Sequence, residues 1–317
     1  MVVCCIGEVL WDVFPDQELL GGAPLNVSVN LHRLGVEVVL VSGVGSDERG
    51  VRALEAIKAI GLDVSRIAIS NQQTGIAEVV RSAAMGDQHF VIPRPAAFDS
   101  FVSESPRKVE EPTEAMDWIY MGTLHQTNPE AERFTRKLIG DAPSARVFYD
   151  VNMRDGHWDL ALIQRLSGLS TVVKVNEAEA ERLFEMTYPG STFGLRTFCE
   201  LWATTHDVNV MCVTLGDRGA FVFSQGVAEK VPGLKVELHD TVGAGDAFSA
   251  AFLYAYHHAW PLGEAACFGN ALGALVASRP GAVPSWTMDE ILPLLPSEST
   301  IPSLLTANDL LADVRSS

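Results

Sequence analysis

The sequence predicts an α/β fold: a doubly wound, mostly parallel sheet with helices on both faces, and a small β lid. Three observations carry this. Short apolar runs alternate with helical patterns along most of the chain, as in parallel sheets covered on both faces. Glycine or proline punctuates nearly every change of pattern. Two stretches break this rhythm: 10–20 is short, with aromatics at Trp11 and Phe14, and 74–92 shows two strand signals with no helix between them. The 317 residues are 47% hydrophobic and 20% charged, enough to build a large core. At about 150 residues per domain the length alone suggests two domains. The continuous alternation instead reads as one domain over 1–317, with a lid from about 10–22 and 74–98 inserted in it.

In chain order, residues 2–6 form an apolar run stopped by Gly7, a buried strand. Residues 24–34 read as a helix, with Pro24 in the first turn, Val27, Leu31 and Leu34 on one face, and Gly35 beyond its end. Residues 37–42 are a strand. Residues 47–60 are a helix stopped by Gly61. Strands at 118–121, 146–149, 171–175 and 210–215 follow, with helices at 129–139 (closed by Gly140) and 177–186. Residues 247–260 and 264–278 are apolar-rich helices. Within 74–92, Met85-Gly86-Asp87 marks a turn between two strands.

Lys and Arg number 23 against 40 Asp and Glu, so the net charge is 23 − 40 = −17. A field of that sign repels polyanions and argues against nucleic acid or anionic membrane as the main partner. The five cysteines have no C-x-x-C spacing and fit no closed disulfide framework, as expected of buried thiols in a reducing compartment. The N-terminus lacks a basic n-region, and no apolar run reaches 18 residues. These features predict a soluble cytoplasmic protein.

Five motifs can carry chemistry. Asp240-Thr-Val-Gly243-Ala244-Gly245-Asp246 precedes an apolar helix that begins near Asp246. Converging N–H groups and a helix N-terminus suit a phosphoryl group. Asp246 is placed to take a proton from an attacking hydroxyl, or simply to cap the helix. Gly21-Gly22-Ala-Pro-Leu-Asn26 brings backbone close to a ligand, and Asn26 can both donate and accept, as sugar hydroxyls require; it can equally be a capped helix start. Asn176-Glu-Ala-Glu179 reads as a capping box or as a carboxylate positioning Mg²⁺ through water. Thr214-Leu-Gly216-Asp-Arg-Gly219 is a nucleotide-facing strand end or a hairpin. Asp150-Val-Asn-Met-Arg154 offers Arg154 to phosphate oxygens, or an ion pair of Arg154 with Asp150 or Asp155. No G-x-x-x-x-G-K-[ST], H-E-x-x-H or G-x-S-x-G is present, and the eight histidines show no metal-ligand spacing.

Together, in this order, the motifs resemble the ribokinase-like (PfkB) family of sugar kinases, from about Gly7 to Ser285. The resemblance implies that Asp246 is the base and that Gly243, Ala244 and Gly245 form the anion hole. Asp12, Asn26 and the Gly21-Gly22 backbone would hold sugar hydroxyls. Glu179 and Asn176 would support Mg²⁺. Thr214, Gly216, Gly219 and Asn270 would line the ATP site, with Lys174 grouped on the nucleotide side and Arg154 on the phosphoryl side. Asp240, Val242, Val276, Arg279, Gly281 and Ser285 fit the family's monovalent-cation loop, implying potassium activation. The lid implies a homodimer, and its closure would exclude water from the site. Gly7-Glu-Val-Leu-Trp-Asp12, Gly21-Gly-Ala-Pro-Leu-Asn26 and Asn152-Met-Arg-Asp-Gly-His-Trp158 look most like fructokinases, although Met153 replaces their usual Leu or Ile. Arg94 lies where many hexose kinases of the family carry a substrate-facing arginine. The alternatives are a kinase of 2-keto-3-deoxygluconate, ribose or a nucleoside, or a silent sugar-binding sensor on the same fold.

Overall fold

Val3 to Ile6 are completely buried, the mark of a strand covered on both faces. The computed structural model describes residues 1–81, 88–100, 115–296, 300, 301, 303 and 305. It divides into two compact units, one of residues 1–29, 37–147 and 152–163, the other of 30–36, 148–151 and 164 onward.

Along the first unit run β1 (Val2–Ile6), β2 (Leu10–Val13), β3 (Glu18–Gly21), α1 (Ala23–Arg33), β4 (Glu37–Gly45), α2 (Glu48–Ile60), β5 (Ile67–Ser70), β6 (Gly75–Arg81), β7 (Gln88–Val91), β8 (Trp118–Gly122), α3 (Thr123–Gln126) and α4 (Pro129–Asp141). Helix α1 continues into the second unit at Asn30. Strand β1 pairs in parallel with β4 and β8, and β4 with β5. The lid is a separate sheet ordered β3-β2-β6-β7. Leu10, Ala77, Ile92, Phe98 and Leu124 form a buried apolar cluster at that sheet. Its root is ionic. Glu18 on β3 pairs with Arg49 (2.6 Å) and Arg52 (3.0 Å), and Arg52 lies over the Trp11 ring at 4.4 Å. Asp47 caps α2 through the Gly50 N–H and also accepts from Thr74, just before β6.

In the second unit come β9 (Arg146–Asp150) and α5 (Leu160–Ser167), both of which begin in the first, then β10 (Val172–Asn176), α6 (Glu177–Thr187), α7 (Leu195–His206), β11 (Val210–Thr214), β12 (Ala220–Ser224), β13 (Val227–Val231), α8 (Ala244–His257), α9 (Leu262–Ala277) and α10 (Met288–Ile291). Strands β9, β10 and β11 are parallel; β11, β12 and β13 are antiparallel. Helices α8 and α9 pack closely because α9 presents Gly269, where an added Cβ would meet the Phe248 ring at 2.7 Å.

Three sequence expectations need correction. Helix α8 starts at Ala244, two residues before the expected position, so Asp246 lies inside its first turn and Gly243 is the cap. Gly140 does not close α4, which continues through Asp141. The sequence reading assigned no element to β5, α5 or α7. The first has only four residues, and the buried Phe198, Cys199 and Trp202 of α7 sit among charged and β-branched neighbours that blur the period. The turn expected at 85–87 lies outside the described residues. Cys4, Cys5, Cys199 and Cys212 are buried thiols. Burial pushes the pKa of Cys199 up to about 12; it does the same at Cys5 against a hydrogen bond with Ser28. They are packing residues. Among the described residues, no helix is long and apolar enough to cross a membrane.

Candidate active site

In the second unit the site is built on the start of α8. Gly243 has φ +78°, and a Cβ there would lie 2.1 Å from the Ala282 carbonyl oxygen. Only glycine meets both demands. The turn delivers the chain into α8 with its first N–H groups and positive dipole end unsatisfied by the helix itself. Asp246, buried at 9% exposure, is the third residue of that helix. A buried carboxylate at an anion-attracting helix start is the arrangement needed to take a proton beside a phosphoryl group. Ahead of the turn, Asp240 accepts the Val242 N–H at 3.0 Å.

Beneath the turn lies an ion pair. Lys174 Nζ is 2.8 Å from Asp150 Oδ2, and both side chains are buried. Asp150 thus pairs with Lys174. Burial disfavours the Lys174 charge; Asp150, with Asp246 and Glu179, outweighs it and raises the pKa above that of an ordinary lysine. Ser249 Oγ lies 3.0 Å from Asp150 Oδ2 and 3.0 Å from the Gly245 carbonyl.

The Asn176–Glu179 capping box is complete. Asn176 Oδ1 accepts the Glu179 N–H at 2.9 Å, and Glu179 Oε2 accepts the Asn176 N–H at 2.8 Å. One Glu179 oxygen is therefore committed, and no group of three acidic, histidine or cysteine side chains among the described residues could hold a metal alone. That donor set fits Mg²⁺ held through water and phosphate oxygens, not an all-protein cage. Thr214 ends β11, with its hydroxyl 3.5 Å from the Val175 carbonyl. Gly216 and Gly219 flank a short 3₁₀ turn leading into β12. Asn270 on α9 donates to the Pro232 carbonyl at 3.1 Å. In the loop suggested for a monovalent cation, the Val276 carbonyl accepts the Arg279 N–H at 3.0 Å. The Arg279 guanidinium donates to the Ser285 carbonyl and pairs with Glu290. Arg33 donates to the Val283 and Pro284 carbonyls at 3.2 and 2.7 Å. Two arginines therefore pin the chain between Gly281 and Ser285, and a cation there would share carbonyls that already accept hydrogen bonds.

In the first unit, Gly22 has φ +111°, and a Cβ there would meet the Glu8 carbonyl oxygen at 2.4 Å. A Cβ on Gly21 would lie 2.7 Å from Asp12 Oδ2. Asp12 and Asn26 are both buried, and the Asn26 N–H donates to Gly22 O at 2.9 Å. The Ala23 N–H, at the start of α1, donates to Glu8 Oε1 at 3.3 Å. Arg154 is half-buried in this unit, and its carbonyl accepts the His157 N–H. Arg94 lines an open groove of about 400 Å³ with Asp99, Thr127, Asn128 and His157. Its guanidinium forks onto Asp99 and also donates to the Leu124 carbonyl and Thr127. Next to it His125 is buried; desolvation, then the Arg94 charge, lower its pKa to about 3, so the ring is neutral.

Sequence reasoning missed Ser249, Ala282, Arg33 and the Asp150–Lys174 pair. Only the i, i+4 spacing of Gly245 and Ser249 carried a local signal.

The pfkB family carbohydrate kinase model matches residues 3–288. The chain is 29% identical over 291 residues to fructokinase-1 of Oryza sativa subsp. japonica, covering 87% of this chain and 88% of that enzyme. It is 26% identical over 299 residues to aminoimidazole riboside kinase of Salmonella typhimurium, covering 89% and 90%. In fold it is similar to the Vibrio cholerae O395 fructokinase. One structure, with fructose, ADP and calcium, has a TM-score of 0.80 at 23% identity over 93% of this chain and 99% of that one. A double mutant of it with fructose, ADP and potassium has a TM-score of 0.79 at 22% identity, over 93% and 98%. The mostly parallel strand order, the separate lid sheet and the family match over nearly the whole chain make this protein a member of the pfkB family of carbohydrate kinases.

Proposed function

We propose that the protein transfers the γ-phosphoryl group of MgATP to a primary hydroxyl of a free sugar, with fructose as acceptor and fructose 6-phosphate as product. The observation that carries the reading is the buried Asp246 carboxylate in the first turn of α8, directly after the Gly243 turn. Asp246 accepts the hydroxyl proton as the sugar oxygen attacks phosphorus and ADP leaves. The N–H groups of Gly243, Ala244 and Gly245 take the developing charge on the transferred group. Asp12, Asn26 and the Gly21-Gly22 backbone orient the sugar. Thr214, Gly216, Gly219 and Asn270 receive the nucleotide, and Arg154 meets its phosphates. Glu179 and Asn176 would hold Mg²⁺ through water, and the ion would supply charge neutralisation at the phosphate oxygens. Activation by potassium is supported by the likeness of Asp240, Val242, Val276, Arg279, Gly281 and Ser285 to the family's cation loop, although the 283–285 carbonyls would be shared with Arg33 and Arg279.

Fructose is favoured by the fructokinase relatives and by the Gly21–Asn26 and Asn152–Trp158 motifs. A nucleoside acceptor is the second reading, supported by the match to aminoimidazole riboside kinase. Initial rates on fructose, ribose, 2-keto-3-deoxygluconate and aminoimidazole riboside at fixed MgATP separate them. The fructose reading expects the highest kcat/KM on fructose, higher with potassium than with a large organic cation. A preference for the riboside would move the assignment to the second reading. Saturable sugar binding with no phosphorylation would replace both with a sensor.

A further inference from the structure

The turn at the start of α8 rests on a buried charge that the proposed chemistry leaves unused. Lys174, on β10, reaches up to Asp150 at the end of β9, 2.8 Å away. Ser249, one turn into α8, bridges the same carboxylate oxygen to the Gly245 carbonyl. A methyl group added at Gly245 would come within 3.1 Å of the Lys174 ammonium. That ammonium cannot easily retreat, because Asp150 holds it. Gly243 and Gly245 are thus glycines for different reasons. Gly243 needs its positive φ and its approach to Ala282. Gly245 has no such backbone demand; its space is limited by the lysine. The acidic groups acting on this ammonium are Asp150 from β9, Asp246 from α8 and Glu179 from α6.

We propose that Lys174 is a positioning residue for phosphoryl transfer: clamped by Asp150, its ammonium sets the height of the Gly243–Asp246 turn above β10 and holds the Asp246 carboxylate in place, without touching nucleotide. The proposal rests on the kinase reading given above. It differs from a purely structural ion pair in one respect. A structural pair can be replaced by neutral groups of similar volume with little loss, whereas a positioning cation cannot.

The test compares Lys174→Met, Lys174→Arg and the double variant Lys174→Met/Asp150→Asn with wild type, by melting temperature and by kcat and KM for each substrate. Lys174→Met alone leaves Asp150 buried without its cation and melts lower. The double variant removes both charges and melts close to wild type. Its kcat is expected to stay down by about 10²-fold, the cost of a misplaced catalytic group, with both KM values within about threefold of wild type. Lys174→Arg, which keeps the charge, is expected to retain more of kcat than the double variant. Gly245→Ala is expected to cost less activity in the double variant than in wild type, because the ammonium it would crowd is gone.

Recovery of kcat along with the melting temperature in the double variant would overturn the proposal, as would equal costs of Gly245→Ala in both backgrounds. If the double variant melts low, Lys174→Arg and Lys174→Met are compared below both midpoints, and equal kcat values there overturn it as well. A wild-type protein that phosphorylates no sugar would sink the kinase reading instead, which keeps the two failures apart.

Discussion

The Gly243–Asp246 turn of the second unit and the Gly21–Asn26 loop of the first are both glycine turns that open a helix, but they are supported differently. The first is backed by a buried cation, Lys174, on a carboxylate, Asp150. The second is backed by oxygens: the Glu8 carbonyl against Gly22, the Glu8 carboxylate on the Ala23 N–H, and Asp12 beside Gly21. The difference matches the ligand each would hold. A helix start meant for a phosphoryl group gains from positive charge behind it. A loop meant for neutral hydroxyls gains from acceptors and a rigid backbone. The contrast also bears on the net charge of −17. An acidic protein can bind an anionic nucleotide if positive character is concentrated where the phosphates lie.

The largest effect expected from this contrast is at Asp246. Asp246→Asn keeps the helix start and its N–H groups but removes the proposed base. Its kcat should fall by about 10²- to 10⁴-fold while ATP binding, followed by calorimetry, stays near wild type. Turnover near wild type would remove Asp246 from the chemistry and with it the reason for reading this turn as the phosphoryl side.

Next is Arg94, which tests what the first unit spends its charges on. The guanidinium is fully engaged with Asp99, Leu124 and Thr127, and Asp99 is itself buried. Arg94→Ala leaves that carboxylate buried without its cation, with the Ala96 N–H still on it at 2.9 Å, which costs about 3–5 kcal/mol and should appear in denaturant unfolding. An arginine that only faced substrate would raise the sugar KM and leave unfolding unchanged. Both outcomes are read from the same purified variant.

A smaller effect is expected at the Gly21–Asn26 loop, the proposed sugar side. Losing one charged hydrogen bond to a hydroxyl costs about 1.5–3 kcal/mol, so Asp12→Ala should raise the sugar KM by about 10- to 100-fold with the ATP KM unchanged. Gly21→Ala should act in the same direction, because its Cβ would sit 2.7 Å from Asp12 Oδ2 and push the carboxylate aside. A rise in the ATP KM in either variant would erase the distinction between the two turns.

How much of this was legible from sequence depended on chain distance. The Asn176–Glu179 capping box spans three residues and was read directly. Gly61 as the stop of α2 was equally local, and its φ of +100° agrees. The start of α8 was misplaced by two residues because Asp is a favoured cap, while the observed cap is a left-handed glycine forced by Ala282, 39 positions away in sequence. The Lys174–Asp150 pair joins residues 24 apart, and the sequence alone puts Lys174 on the nucleotide side and offers Asp150 to Arg154, with no local signal that the two meet. The sequence reads Arg94 as a substrate-facing arginine and carries no signal of its partners Leu124 and Thr127, about 30 positions away. The parallel pattern was clear because buried strands such as Val2–Ile6 are continuously apolar, and five-residue windows suffice to see it.

The smallest effect sharpens the contrast from the side of stability. The lid root and the phosphoryl turn both use a carboxylate as a clamp, but Asp47 is half-buried and clamps backbone and a hydroxyl rather than an ammonium. Burial alone would raise its pKa; the hydrogen bonds from Thr74 and Gly50 outweigh that and lower it. A lowered folded pKa means that its contribution is full above the unfolded value of about 3.9 and is lost as pH falls through the folded value. Asp47→Ala should therefore cost about 1 kcal/mol near neutral pH, as a lost helix cap does. The gap in melting temperature between wild type and variant should narrow as the pH is taken from about 6 toward 3. A gap that stays constant over that range would mean that Asp47 acts through packing and not through its charge, leaving Lys174–Asp150 as the ionic clamp on which the comparison rests.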